Sequence, residues 1–235
     1  MSSYLAINVF IVLIPLLLSF EKNVLFYKKL KNVFISIIAV GIIFLIWDVI
    51  ATENGDWSFN SEYTGSVRIY GLPVEEILFF ITVPYSILFV FESLTFYIKE
   101  KKFEFNRKYF LIVFMILFFA AITNIDKNYT SAVFFICSVL FLLSSFYDLK
   151  VYNSLVSILT ILVSFIPFFI VNYILTSLPV VEYNPEAIMG IRVLTIPVED
   201  FFYSFAMISG WLIIYNMLNE RDRKIKFKTI DQGKT

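Results

Sequence analysis

The 235-residue chain contains no histidine and a single cysteine, Cys137. Without histidine, the usual proton shuttle at neutral pH, the commonest metal ligand and every histidine-dependent nucleophile are excluded. One cysteine excludes an internal disulfide and a multi-cysteine metal site, and among apolar neighbours Cys137 reads as a packing residue. Charge is scarce too: charged residues make up 16% of the sequence and balance to zero, so nothing points to nucleic acid as a partner. A Gly-rich dinucleotide fingerprint is also missing. Acid–base chemistry is left to Asp, Glu, Tyr, Lys and water, and neither a metal nor a cofactor is expected.

What fills the space is grease. Hydrophobic residues make up 59% of the chain, including 28 phenylalanines. They come in blocks of roughly 20, the length that crosses the hydrocarbon core of a bilayer as a helix. The expected fold is an all-α integral membrane protein with seven transmembrane helices, near residues 4–20, 32–52, 73–97, 108–125, 130–146, 154–177 and 196–218. The first block starts at Tyr4 with no basic region before it, and it reads as a span rather than a removable signal.

The connections sort by charge. Lys22, Lys28, Lys29 and Lys31, then Lys99, Lys101, Lys102, Arg107 and Lys108, then Lys150 and the tail from Arg221 to Lys234 fall on one side. The other side carries Arg68, Lys127 and Arg192. By the positive-inside rule the N-terminus lies outside and the C-terminus in the cytoplasm, in a cell membrane crossed several times. The basic stretch from Arg221 to Lys228 reads as a topology determinant that also suits contact with anionic membrane lipids.

A shift of 124 positions lays Arg68 on Arg192, Pro73 on Pro197, Val74 on Val198, Glu75 on Glu199 and Glu76 on Asp200, and sets Asp48 against Asn172. Spans one to three then fall on spans five to seven. The expectation is two parallel three-helix repeats joined by a connector helix, 3+1+3. The boundaries are a first repeat over 1–100, a connector over 101–127, a second repeat over 128–220 and a basic tail over 221–235.

Each repeat therefore carries an acidic pair behind Pro-Val. Proline and carboxylates are favoured in a helix's first turn, so one reading of the motif is a plain helix start at the interface. The other is functional. Ionisable groups inside a membrane are costly, and adjacent carboxylates in such surroundings suit proton transfer. Arg68 and Arg192 are candidates to pair with these acids and hold them ionised.

Three stretches carry a resemblance: Trp47 to Gly65 (WDVIATENGDWSFNSEYTG), Leu72 to Pro84 (LPVEEILFFITVP) and Leu178 to Phe205 (LPVVEYNPEAIMGIRVLTIPVEDFFYSF). Together they resemble the small membrane-integral lycopene cyclase family, in which two three-helix units are separate subunits or fused, as here. The resemblance covers essentially the whole chain. It implies cofactor-free cyclisation of the linear ψ-ends of lycopene, a lipid-dissolved C40 carotenoid, to β-type ionone rings, giving γ- and β-carotene. Such an enzyme is an isomerase of the intramolecular-lyase kind, with other enzymes of carotenoid synthesis as potential partners.

Carried over by position, Glu75 and Glu76 match the first acidic motif and are the expected proton-handling pair. Glu199 and Asp200 match the second, as a second pair or as the complement of one composite site. Asp48, where the halves differ, is expected to orient a glutamate or stabilise a cation, a helix-end hydrogen bond being the alternative. Trp47, Trp57, Phe79, Phe80, Tyr203 and Asn172 are the expected substrate walls. The loop aromatics Trp57, Phe59, Tyr63, Tyr70 and Tyr183 read as an interfacial belt or, alternatively, an end-group pocket. The rival functions are a small-solute transporter with 3+1+3 repeats, which needs polar groups near mid-membrane, and a non-catalytic partner of carotenoid enzymes.

Overall fold

A computed structural model describes residues 1–232, with side chains through residue 225. Among them are seven α-helices: α1 (Ser3–Leu18), α2 (Leu30–Asn54), α3 (Val74–Tyr97), α4 (Arg107–Thr123), α5 (Asn128–Phe146), α6 (Leu155–Ser177) and α7 (Val198–Gln232). Apolar blocks become helices because a backbone surrounded by hydrocarbon must satisfy its own hydrogen bonds. Polar side chains mark the starts: Ser2 accepts from the Leu5 amide, Asn106 from Lys108 and Ser154 from Ser157. The stop of α2 is Gly55 in the left-handed region, φ 75°.

Five helices, α2, α3, α5, α6 and α7, are long and apolar enough to cross a bilayer. The other two are shorter: α1 has 16 residues and α4 has 17, about 25 Å against a core of roughly 30 Å. The last helix runs past the expected end at 218 through Gln232. Of the basic tail, Arg221, Arg223 and Lys224 are exposed on it, while the side chains of Lys226 and Lys228 and all of Lys234 lie outside the described residues.

Helices pack crosswise. α1 lies against α3 and α5 against α7, while α2 packs on α7 and α3 on α6. The α2–α7 approach is close at Gly210, where an added Cβ would stand 3.3 Å from Val40 Cγ1. α4 forms a hairpin with α5.

Three small ladders cover one end. β1 (Trp57–Phe59) pairs antiparallel with β4 (Val181–Tyr183), in the register Trp57 to Tyr183 and Phe59 to Val181. Flanking it, the Asn60 amide donates to Val180 O at 3.1 Å and the Asn184 amide to Asp56 O at 2.9 Å. These two bonds exchange under the 124-residue shift. β2 (Arg68–Ile69) with β3 (Leu72–Pro73), and β5 (Arg192–Val193) with β6 (Ile196–Pro197), are the hairpins that lead into α3 and α7. At the opposite end, buried Glu92 is paired with Lys29 and accepts from Tyr215 Oη at 2.6 Å, and Lys150 pairs with Glu220.

Candidate active site

The hairpins fix where the acids point. Tyr70 (φ 50°) and Gly71 (φ 81°) make a two-residue turn with left-handed backbone at both positions, whereas in the second hairpin only the first turn residue, Leu194 (φ 57°), has positive φ. Pro73 (φ −65°, ψ 146°) closes the ladder and precedes the first helical residue, so Glu75 and Glu76 occupy the first turn of α3. Glu199 and Asp200 occupy the first turn of α7.

Within each motif the two acids have different partners. Glu75 Oε1 accepts from Ser2 Oγ at 2.6 Å and from the Gly65 amide at 2.8 Å. Glu199 Oε1 accepts from Thr130 Oγ1 at 2.6 Å and from the Met189 amide at 2.7 Å. Both tie the start of α3 or α7 to a neighbouring helix start and to the loop before the hairpin. Glu199 is fully buried, and its Oε2 has no partner.

Glu76 and Asp200 turn instead into a cavity of about 350 Å³, which Asp48 also lines. Tyr4 Oη donates to Glu76 Oε2. Asp200 accepts at both oxygens, from Tyr129 Oη at 2.8 Å and Tyr183 Oη at 2.9 Å. Asp48 Oδ1 accepts from Trp57 Nε1 at 2.8 Å, while its buried Oδ2 has no partner. In β4, outside the helices, burial and the neighbouring Asp200 push the Tyr183 phenol well above its ordinary value, so it stays a donor.

Aromatic rings frame this acidic end. Tyr129 lies 5.0 Å from Trp57 edge-on and stacks on Tyr183 at 5.8 Å, and Trp47 and Tyr203 are 5.0 Å apart between centroids. Below the acids the walls are mostly aliphatic and aromatic, with Ser86, Ser164 and Ser204 among them, and on α3 they run from Glu76 to Val90, about 21 Å at the helical rise. Among the described residues, no Lys or Arg lines the cavity.

The expected site residues thus divide. Asp48, Glu76, Asp200, Trp57, Phe79, Tyr203 and Asn172 line one cavity, with the Asn172 amide donating to Phe168 O at 3.2 Å. Glu75 and Glu199 brace helix starts. Phe80 is buried in the helix core, and Trp47 packs behind Tyr203 without lining the cavity. The arginines form no direct ion pair with the acids but act on them by charge at longer range, Arg68 on Glu75 and Arg192 on Asp200. Their hydrogen bonds go elsewhere, from Arg68 to the Gly71 and Phe59 carbonyls and from Arg192 to the Thr195 carbonyl. Ion pairs among the described residues are Lys29–Glu92 and Lys150–Glu220.

For three of the loop aromatics the geometry fits the end-group-pocket alternative rather than the interfacial belt. Trp57, Phe59 and Tyr183 line the cavity because the β1–β4 ladder turns them inward, and Tyr70 alone of the five is strongly exposed. Sequence reasoning missed Tyr4 and Tyr129. They sit 125 residues apart, one out of step with the 124-residue shift, so the repeat alignment does not superpose them.

A family model described as Lycopene cyclase matches residues 1–94 and 126–218, well over half of the chain. No curated protein matches the chain, and no solved structure does.

Proposed function

The chain belongs to the lycopene cyclase family, and on that premise we propose that it closes the ψ-ends of lycopene to β-type ionone rings with its own side chains as acid and base. The observation that carries this reading is the meeting of Asp48, Glu76 and Asp200 at one end of a long apolar cavity. A hydrocarbon end fits the walls, and the acids stand where its terminal alkene would rest.

The proton donor is the Asp48–Glu76 side. Asp48 Oδ2 is buried without a partner, an arrangement that favours a carboxyl carrying a proton to give away. Protonation of the terminal alkene leaves a tertiary carbocation, which the neighbouring double bond attacks to close the ring. The positive charge moves onto the ring, and loss of a ring proton restores an alkene. Asp200, held by two phenol donors, is the base. One proton enters and one leaves, so the product is an isomer and no electrons are exchanged.

Trp57, Tyr129, Tyr183 and Tyr203 present π-faces and edges around the acids, and such faces stabilise a cation by about 0.5–2 kcal/mol each. Glu75 and Glu199 hold the helix starts that carry Glu76 and Asp200. The donors come from the first half of the chain and the base from the second, so the two halves build one composite site.

The same reading takes the chain as two parallel three-helix repeats with α4 as connector, crossing a cell membrane seven times with α1 and α4 as short spans. The end bearing the β-ladders faces outward, and the end with Lys29 and Lys150 faces the cytoplasm. The transporter reading is disfavoured by the aliphatic and aromatic walls below the acids.

The test is expression in cells that accumulate lycopene, with pigments separated by chromatography. Conversion to one- and two-ring carotenes is expected, and unchanged lycopene beside well-inserted protein would sink the proposal.

A further inference from the structure

Most residues that line the cavity are buried or half-buried, as walls should be. Phe10 and Ile14 of α1 and Ile170 of α6 also line it, yet they are 70%, 61% and 51% exposed. A side chain that borders a cavity while facing outward stands on its rim. These three therefore mark an opening between α1 and α6 on the flank of the bundle. That flank is apolar, since Val9, Leu13, Leu17 and Ile166 beside the rim are exposed as well.

The corresponding place in the other half is filled. Where α6 has Val171, buried against the cavity, α2 has Trp47 124 positions earlier. The Trp47 indole packs against Tyr203, Phe44, Tyr129 and Trp57, with centroids 5.0, 5.9, 6.0 and 6.3 Å away. The counterpart of Phe10 on α5, Phe134, is buried and meets Phe202 of α7 edge-on at 4.9 Å between centroids. The connector helix α4 packs along α5.

We infer that the gap between α1 and α6 is the single lateral portal by which a linear polyene passes between the bilayer and the acids. Trp47 and the inward-packed Phe134 close the mirror-related route. This inference rests on the cyclase reading and adds where the substrate enters and where its unreacted length lies. The part of the polyene that does not fit the cavity runs out past Phe10, Ile14 and Ile170 into lipid. It never leaves an apolar medium, which removes the cost of exposing a long hydrocarbon to water.

The test compares bulky substitutions at corresponding lipid-facing isoleucines. Ile170→Trp narrows the rim, whereas Ile46→Trp, 124 positions earlier on α2, places the same bulk where no cavity opens. Both are expressed in lycopene-accumulating cells, and cyclised pigment is normalised to membrane-inserted protein. Ile170→Trp is expected to lower conversion about tenfold or more, with Ile46→Trp close to the unsubstituted protein. If Ile170→Trp fails to accumulate, Ile14→Trp on the opposite rim takes its place with the same expectation. Equal conversion by the rim variants and the Ile46→Trp control overturns the portal. Unchanged lycopene with the unsubstituted protein overturns the cyclase reading instead.

Discussion

Glu75 and Glu76 are neighbours in the chain but turn about 100° apart around α3. One braces and one faces the cavity, and the same division separates Glu199 from Asp200. The consequence is a split between activity and stability. Glu76→Gln and Asp200→Asn are expected to lower cyclised pigment per inserted protein by about a hundredfold or more, the usual scale for losing a general acid or base. Glu75→Gln weakens the bonds from Ser2 and Gly65, so its main effect is expected on thermal unfolding in detergent. Loss of turnover in Glu75→Gln at unchanged stability would return both neighbours to the proton-handling role. That the motifs open two helices with acidic pairs was legible in the sequence; which acid of each pair faces the cavity was not. The answer depends on helix phase relative to a cavity formed by helices far apart in the chain.

At the scale of elements, the loop before each hairpin donates a backbone amide to the bracing glutamate. In the first half the donor is Gly65, where an added Cβ would stand 2.7 Å from Glu75 Oε1. In the second half Met189 makes the same bond with a side chain present, so only the first brace demands glycine. Gly65→Ala is therefore expected to cost about 1–3 kcal/mol through overpacking, read as a lowered melting temperature. A melting temperature equal to that of the unsubstituted protein would show that the loop shifts freely. The helices themselves were legible because long apolar blocks leave the backbone no other choice. The β1–β4 ladder was not, because three-residue strands more than a hundred positions apart carry no local pattern. For that reason Phe59 and Tyr183 stayed open between an interfacial belt and an end-group pocket, and of the three inward rings only Trp57 was also expected as a substrate wall.

For the molecule as a whole, residues of both halves line one cavity, so on the proposed mechanism each visit closes one ring. With lycopene and the purified protein in liposomes, the one-ring carotene is expected to appear first and the two-ring product after a lag. Two-ring product from the earliest time, without a one-ring intermediate, would contradict a single site. The sequence by itself determined that the chain is a membrane protein, that its two halves repeat a Pro-Val-acid motif and that histidine has no part in its chemistry. Those properties follow from composition and spacing, which act along the chain. Only the tertiary structure decided that Asp48, Glu76 and Asp200 meet, that tyrosines hold two of them, and that the cavity opens beside α1 while Trp47 fills its mirror image. Side-chain direction and the packing of helices distant in sequence set those outcomes. A repeat of 124 residues cannot announce which of its two halves is left hollow.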